Sequence, residues 1–135
     1  MSTTTDDEAN PLTEISSATE LDFYIRGGTS DNDGIVIVTF STHWCGPCQR
    51  SKPKLIELAK SYHHAAQKEE GSSTSVSFAY VPETDMNDDF VDEYNINAFP
   101  TYICFAGEEG KEIDRVEGAN LDGVEAMIKK HLRVS

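Results

Sequence analysis

Cys45 and Cys48, two residues apart within Trp44-Cys45-Gly46-Pro47-Cys48, can exchange between a dithiol and a disulfide without large backbone movement. The run Ile35-Val36-Ile37-Val38-Thr39-Phe40 before them is short, β-branched and apolar, and the segment from Gln49 to Tyr62 after them reads as helical. Cys45 is therefore expected where a strand gives way to a helix. Free backbone N–H groups and the positive end of the helix dipole favour a thiolate at such a place. The gain is bounded, because a less basic thiolate is also a poorer nucleophile, with a Brønsted slope of about 0.4 to 0.5. Acidity alone thus activates little, and positioning of the partner disulfide must supply much of any catalysis.

Cys-x-x-Cys is also half of a zinc knuckle, which needs two further ligands in a recognisable pair. The only other cysteine is Cys104, and His43, His63, His64 and His131 form no second pair at a usual zinc-site spacing. Trp44 before the first cysteine and Pro47 between the two fit an exposed redox tip better than a metal knuckle.

With these residues in view the chain resembles thioredoxin, and the resemblance rests on separated features. Beyond the cysteine motif, Pro53 falls where that family kinks its active-site helix. Phe99-Pro100-Thr101 matches the family's second motif, in which the proline is cis and lies beside the dithiol. Gly118-Ala119 stands where the family has a glycine near the substrate groove. Together the features cover residues from about 12 to 132.

The elements that must position these residues can be read independently. Pro11 to Ile15 suits a short first strand, and Ser17-Ala18-Thr19-Glu20 is a capping-box pattern opening a helix expected to stop at Gly27-Gly28. Asp31 to Gly34 reads as a turn. The nearly all-apolar 35–40 run predicts a central strand covered on both faces. Leu55, Leu58, Ala59 and Tyr62 recur at helical spacing, with Pro53 inside that helix removing a backbone donor. The polar stretch from His63 to Ser75 reads as an extended helix end and a flexible loop. It holds the excess that separates Cys45 from Pro100 beyond what is typical of a thioredoxin. Val76 to Val81 suits a strand, and Met86, Phe90 and Tyr94 suit a short helix begun by Asp85 or Asn87. Thr101–Phe105 and Lys111–Val116 predict a hairpin, and Leu121, Val124, Ile128 and Leu132 a final helix. The expected fold class is α/β: a thioredoxin fold of order βαβαβαββα, with a central mixed sheet of about five strands and helices on both faces.

At 135 residues the chain suits one domain, here 11–135, preceded by a disordered acidic tail at 1–10. Three cysteines do not make a secreted disulfide framework. No apolar run approaches a membrane span, and Asp6, Asp7 and Glu8 suit neither a signal nor a transit peptide. The expected compartment is the cytoplasm. A net charge of −13 argues against nucleic-acid binding, which needs a basic stripe. The spread acids suit solubility, and as a field they would favour basic partners.

The resemblance implies a thiol–disulfide oxidoreductase that needs no bound cofactor. Cys45, as an exposed thiolate, would attack a disulfide in a client protein, and the more shielded Cys48 would resolve the mixed disulfide. An NADPH-dependent thioredoxin reductase would restore the dithiol. Trp44, Gly46, Pro47, Phe99, Pro100 and Gly118 would contact the client, which pairs with backbone next to Pro100. Three positions depart from the family pattern. Thr39 stands six residues before Cys45, where thioredoxins commonly carry a buried aspartate that accepts a proton from the second cysteine. Gln49, followed by Arg50, replaces a lysine often found after the motif, and His43 lies two residues before Cys45. Cys104, in the alternating run Tyr102-Ile103-Cys104-Phe105, is expected in the core. The alternative reading is a thioredoxin-fold adaptor that binds a partner through Trp44 and Pro100, with redox chemistry secondary. A glutaredoxin is disfavoured by Gly46-Pro47 between the cysteines, where that family usually carries proline and tyrosine.

Overall fold

The apolar run Ile35–Phe40 forms a strand, β2, that is buried along its whole length, as coverage on both faces requires. The computed structural model describes residues 11–29, 34–42, 44–68, 76–82, 89–107 and 109–131. In chain order the elements are β1 (Thr13–Glu14), α1 (Ala18–Thr29), β2, α2 (Gly46–Lys68), β3 (Val76–Val81), α3 (Asp89–Tyr94), β4 (Thr101–Ala106), β5 (Lys111–Glu117) and α4 (Leu121–His131). The five strands make one sheet in the order β1-β3-β2-β4-β5. β3 runs parallel to β1 and β2, while β4 pairs antiparallel with β2 and β5, so the sheet is mixed as expected.

Alternation along β2 divides the core into two layers. Ile35 and Ile37, with Phe78, Tyr80, Tyr102 and Cys104, pack against Leu55 and Ala59 of α2 and against Val124 and Ile128 of α4. Val36, Val38 and Phe40, with Ala79, Val81 and Phe105, pack on the other side against Leu21 and Ile25 of α1, with Tyr94 of α3 beside them. Full burial of each large aliphatic side chain contributes about 1.5 to 3 kcal/mol, so both layers hold β2 in place.

α1 is opened by Ser17, whose Oγ accepts the Glu20 N–H at 3.1 Å. The Glu20 carboxylate reaches back to the Ser16 N–H at 3.2 Å, a capping box displaced by one residue. The helix does not stop at Gly27-Gly28 but runs through them to Thr29. Gly28 lies so close to β2 that a side chain there would collide with Val36 Cγ2. That glycine is used for close helix–sheet approach, and the Thr29 hydroxyl secures the last turn on the Ile25 carbonyl at 2.8 Å.

α2 begins immediately after Cys45, earlier than Gln49, and continues past Tyr62 to Lys68, with Pro53 inside it. The polar segment thus begins as an extended helix end, and residues 69–75 lie outside the described residues. So do the 1–10 tail, positions 31–33 of the expected turn, His43, the expected start of α3 at 83–88, and Leu132. α3 closes with Asn95 at φ 55° and an Ile96 N–H bonded to the Val91 carbonyl at 3.0 Å, a Schellman arrangement. The β4–β5 hairpin forms as expected, with a register shift opposite Cys104 and Phe105. Asn120 caps α4 by accepting the Gly123 N–H at 3.0 Å. Among the described residues no helix is long and apolar enough to cross a membrane.

Candidate redox site

Cys45 occupies the position before the first residue of α2, where helical N–H groups lack partners. Its sulfur accepts the Cys48 N–H at 3.2 Å and lies 3.7 Å from the Phe99 carbonyl, to which the thiol donates. These contacts turn the sulfur inward. Cys45 is therefore only 8% exposed, a correction to the exposed thiolate expected of it, although it remains more accessible than Cys48 at 2%. All three cysteines are free thiols.

The separated motifs converge on this sulfur. The Phe99–Pro100 peptide is cis, as the resemblance implied. Trp44 is 63% exposed, so core packing does not account for it, and its ring meets that of Phe99 edge-on at 6.1 Å between centroids. Gly118 donates its N–H to the Pro100 carbonyl at 2.8 Å. It does so at φ +95°, a conformation that side chains rarely adopt, which explains the glycine. Pro47 lines a groove of about 380 Å³ shared with Arg50, Lys54 and Asn120, and the Arg50 guanidinium lies close over Gly46. All eight candidate positions thus fall in one region of the fold, with Cys45, Cys48 and Pro100 buried beneath its surface.

Behind Cys48 lies a buried layer of hydroxyls, of which sequence reasoning singled out only Thr39. Thr39 is in register with Tyr80 on one neighbouring strand and with Tyr102 on the other, so the three side chains share the face under α2. The Tyr80 hydroxyl donates to Ser41 Oγ at 3.1 Å, and Tyr102 Oη and Ser51 Oγ are 3.3 Å apart. Ser51 in turn donates to the Cys48 carbonyl at 3.2 Å. Thr39 Oγ1 and Thr42 Oγ1 are buried with no hydrogen-bond partner among the described residues.

Burial pushes the Cys48 thiol up from its ordinary range, and its hydrogen bond with Cys45 adds to that, while hydrogen bonds from the Ser41 side chain and the Thr42 backbone oppose it. Burial likewise raises Tyr80 and Tyr102, so both phenols are held protonated. Cys104 is fully buried, and burial together with the nearby Asp114 pushes it up to about 12. It is a core residue, as expected.

What this arrangement can do chemically is exchange thiols with a disulfide. The family model described as Thioredoxin matches residues 17–130, and the chain belongs to the thioredoxin family. A thioredoxin of Geodia cydonium is 36% identical over 100 residues, covering 73% of this chain and 81% of that protein. The solved thioredoxin of Fasciola hepatica superposes with a TM-score of 0.71 at 28% identity, over 89% of this chain and 99% of the other. The peptide-N(4)-(N-acetyl-beta-glucosaminyl)asparagine amidase of Caenorhabditis briggsae is 31% identical over 121 residues. That match covers 90% of this chain and 17% of the amidase, so the chain spans about a sixth of that relative.

Proposed function

We propose that the protein reduces disulfides in client proteins, with Cys45 as the nucleophile and Cys48 as the resolving thiol. The observation that carries this reading is the Cys45 sulfur seated on the Cys48 N–H at 3.2 Å, at the head of α2. A thiolate formed there gains a charge-assisted hydrogen bond together with the helix dipole. Cys45 attacks one sulfur of the client disulfide, joins it in a mixed disulfide and releases the other as a thiolate. Cys48 then attacks Cys45, the Cys45–client bond breaks, and the client leaves reduced.

Trp44, Gly46, Pro47, Phe99, Pro100 and Gly118 form the client-contact surface in this reading. The exposure of Trp44 and the Gly118–Pro100 hydrogen bond support it, since both leave a rigid rim beside the sulfur. An NADPH-dependent thioredoxin reductase restores the dithiol, which places the protein in electron transport for cell redox homeostasis. The cytoplasm is the proposed compartment, since three cysteines do not make the disulfide framework of a secreted domain. The adaptor reading requires only the rim and not the chemistry.

Reduction of insulin disulfides with dithiothreitol as electron source separates the two. The wild type is expected to accelerate insulin reduction, and Cys45→Ser to abolish the acceleration. A freshly reduced wild type with no activity above background would contradict the reductase reading and favour the adaptor.

A further inference from the structure

We propose that Tyr80 and Ser41 form a hydrogen-bond donor relay that stabilises the Cys48 thiolate in the step where Cys48 attacks the mixed disulfide, at a site with no carboxylate to accept its proton. The proposal rests on the function given above and concerns how its second step proceeds without the aspartate that relatives commonly carry.

The surroundings of Cys48 hold no carboxylate at the expected place. Thr39 occupies it, and its hydroxyl is unpartnered among the described residues, so Thr39 neither takes the proton nor passes it on. The groups facing Cys48 are Cys45 beside it, Ser41 and Thr42 at the end of β2, Tyr80 from β3, Tyr102 from β4 and Ser51 from α2. Lys52 of α2 sets its ammonium 4.7 Å from the centre of the Tyr80 ring, and Glu14, in register with Tyr80 on β1, acts on it as well. None of the hydroxyls is a base at neutral pH. They can only donate.

Donation is what the geometry provides. The Ser41 hydroxyl donates to the Thr42 carbonyl at 3.3 Å, and it lies near enough to the Cys48 thiol to favour its ionised form. While Cys48 is a neutral thiol, its sulfur is a weak acceptor and the carbonyl competes well. Once Cys48 ionises, the charge makes the sulfur the better acceptor, and the serine proton turns to it. Tyr80, donating to Ser41 Oγ at 3.1 Å, polarises that proton further. The Lys52 cation over the ring favours donation from the phenol, since it stabilises negative charge on the oxygen. Serine and tyrosine therefore act in series.

The step balances without another redox partner. Cys48 loses its proton to solvent, its thiolate forms the Cys45–Cys48 bond, and the Cys45–client bond breaks. The electron pair leaves with the client sulfur, which takes up a proton from solvent. In this relay Ser41 acts on the Cys48 thiolate, and Tyr80 acts through Ser41 as a positioning residue.

Two readouts test the relay: the Cβ chemical shift of Cys48 followed by NMR against pH in the reduced protein, and the stopped-flow release of thionitrobenzoate from its mixed disulfide with Cys45. Loss of one net hydrogen bond predicts that Tyr80→Phe and Ser41→Ala each raise the Cys48 midpoint by about 0.3 to 1 pH unit. The more basic thiolate recovers about half of that in nucleophilicity, so release at neutral pH should slow about 1.4- to fourfold. Because the groups act in series, adding Tyr80→Phe to Ser41→Ala should change little more. A folded Tyr80→Phe with the wild-type midpoint and release rate overturns the relay, as do effects that multiply fully in the double variant. Should Tyr80→Phe fail to fold, a wild-type midpoint in Ser41→Ala overturns it alone. The midpoint is read without any client, so it decides on the relay even where the insulin assay contradicts the proposed function.

Discussion

Cys48 is a thiol held protonated by its surroundings, since burial and the neighbouring Cys45 both raise it. Its attack therefore requires an ionisation that the fold opposes, and the resolving step should quicken as pH rises toward the raised value. A carboxylate at Thr39, between Tyr80 and Tyr102, would supply a nearby proton acceptor. We expect Thr39→Asp to speed release of thionitrobenzoate from Cys45 at neutral pH about tenfold or more, as an added general base does. An unchanged stopped-flow rate would mean that deprotonation of Cys48 does not limit this step. At this scale the cysteines, Trp44, the cis proline and Gly118 were legible because each is marked by residue type and neighbours. Tyr80, Tyr102 and Ser51 were not, because their meaning depends on strand register and helix placement across long separations in the chain. The coverage of Cys45 was missed for a related reason: the Phe99 carbonyl that draws its sulfur inward belongs to a distant loop.

Elements were legible wherever hydrophobic period and breakers agreed, as in β2 and α4, and less so where one residue served two purposes. Gly28 reads locally as a helix stop, yet it is the point at which α1 touches Val36. Arg115 reads locally as one more charge on an exposed strand. It in fact joins β5 to the end of α3, donating to the Tyr94 carbonyl at 2.7 Å and the Asn95 carbonyl at 3.0 Å. The same guanidinium bonds Glu112 at 2.7 Å, and only 22% of the side chain is exposed. Residues 95–99 continue from there to Pro100, so this joint also steadies the rim of the site. Arg115→Ala should lower stability by about 1 to 3 kcal/mol, the range for hydrogen bonds involving a charged group. Arg115→Lys should recover only part of it, lacking the planar fork. Denaturant midpoints check both, and a midpoint unchanged in Arg115→Ala would show that the joint contributes nothing.

For the whole molecule the acidic balance sets the response to pH. Most carboxylates repel one another at a net charge of −13, and protonating them relieves that repulsion. Asp114 works in the other direction. Its hydrogen bond with His131, at 2.9 Å, ties β5 to the last turn of α4 and holds the carboxyl below its usual range. A carboxyl lowered in the folded state stabilises the fold fully above its unfolded value, near pH ~3.9, and that contribution fades as pH falls below it. Asp114→Asn should therefore be less stable than wild type at pH ~6, and the gap should narrow as pH is lowered through ~4 toward ~2. Urea midpoints over that range check the sign, and a gap that widens in acid would contradict it. The fold class and the order of elements along the chain were legible from alternating strands and helices followed by a hairpin. The partition of charge into repulsive acids and one fastened to His131 was not, because composition does not show where a side chain lies.

The most direct measurement is mass spectrometry of the adducts formed when reduced Cys48→Ser and Cys45→Ser proteins are each mixed with insulin. Cys48→Ser is expected to accumulate a disulfide-linked insulin chain on Cys45, which dithiothreitol removes, and Cys45→Ser to accumulate little. Equal adducts on both variants, or none on Cys48→Ser, would contradict Cys45 as nucleophile and Cys48 as resolving thiol.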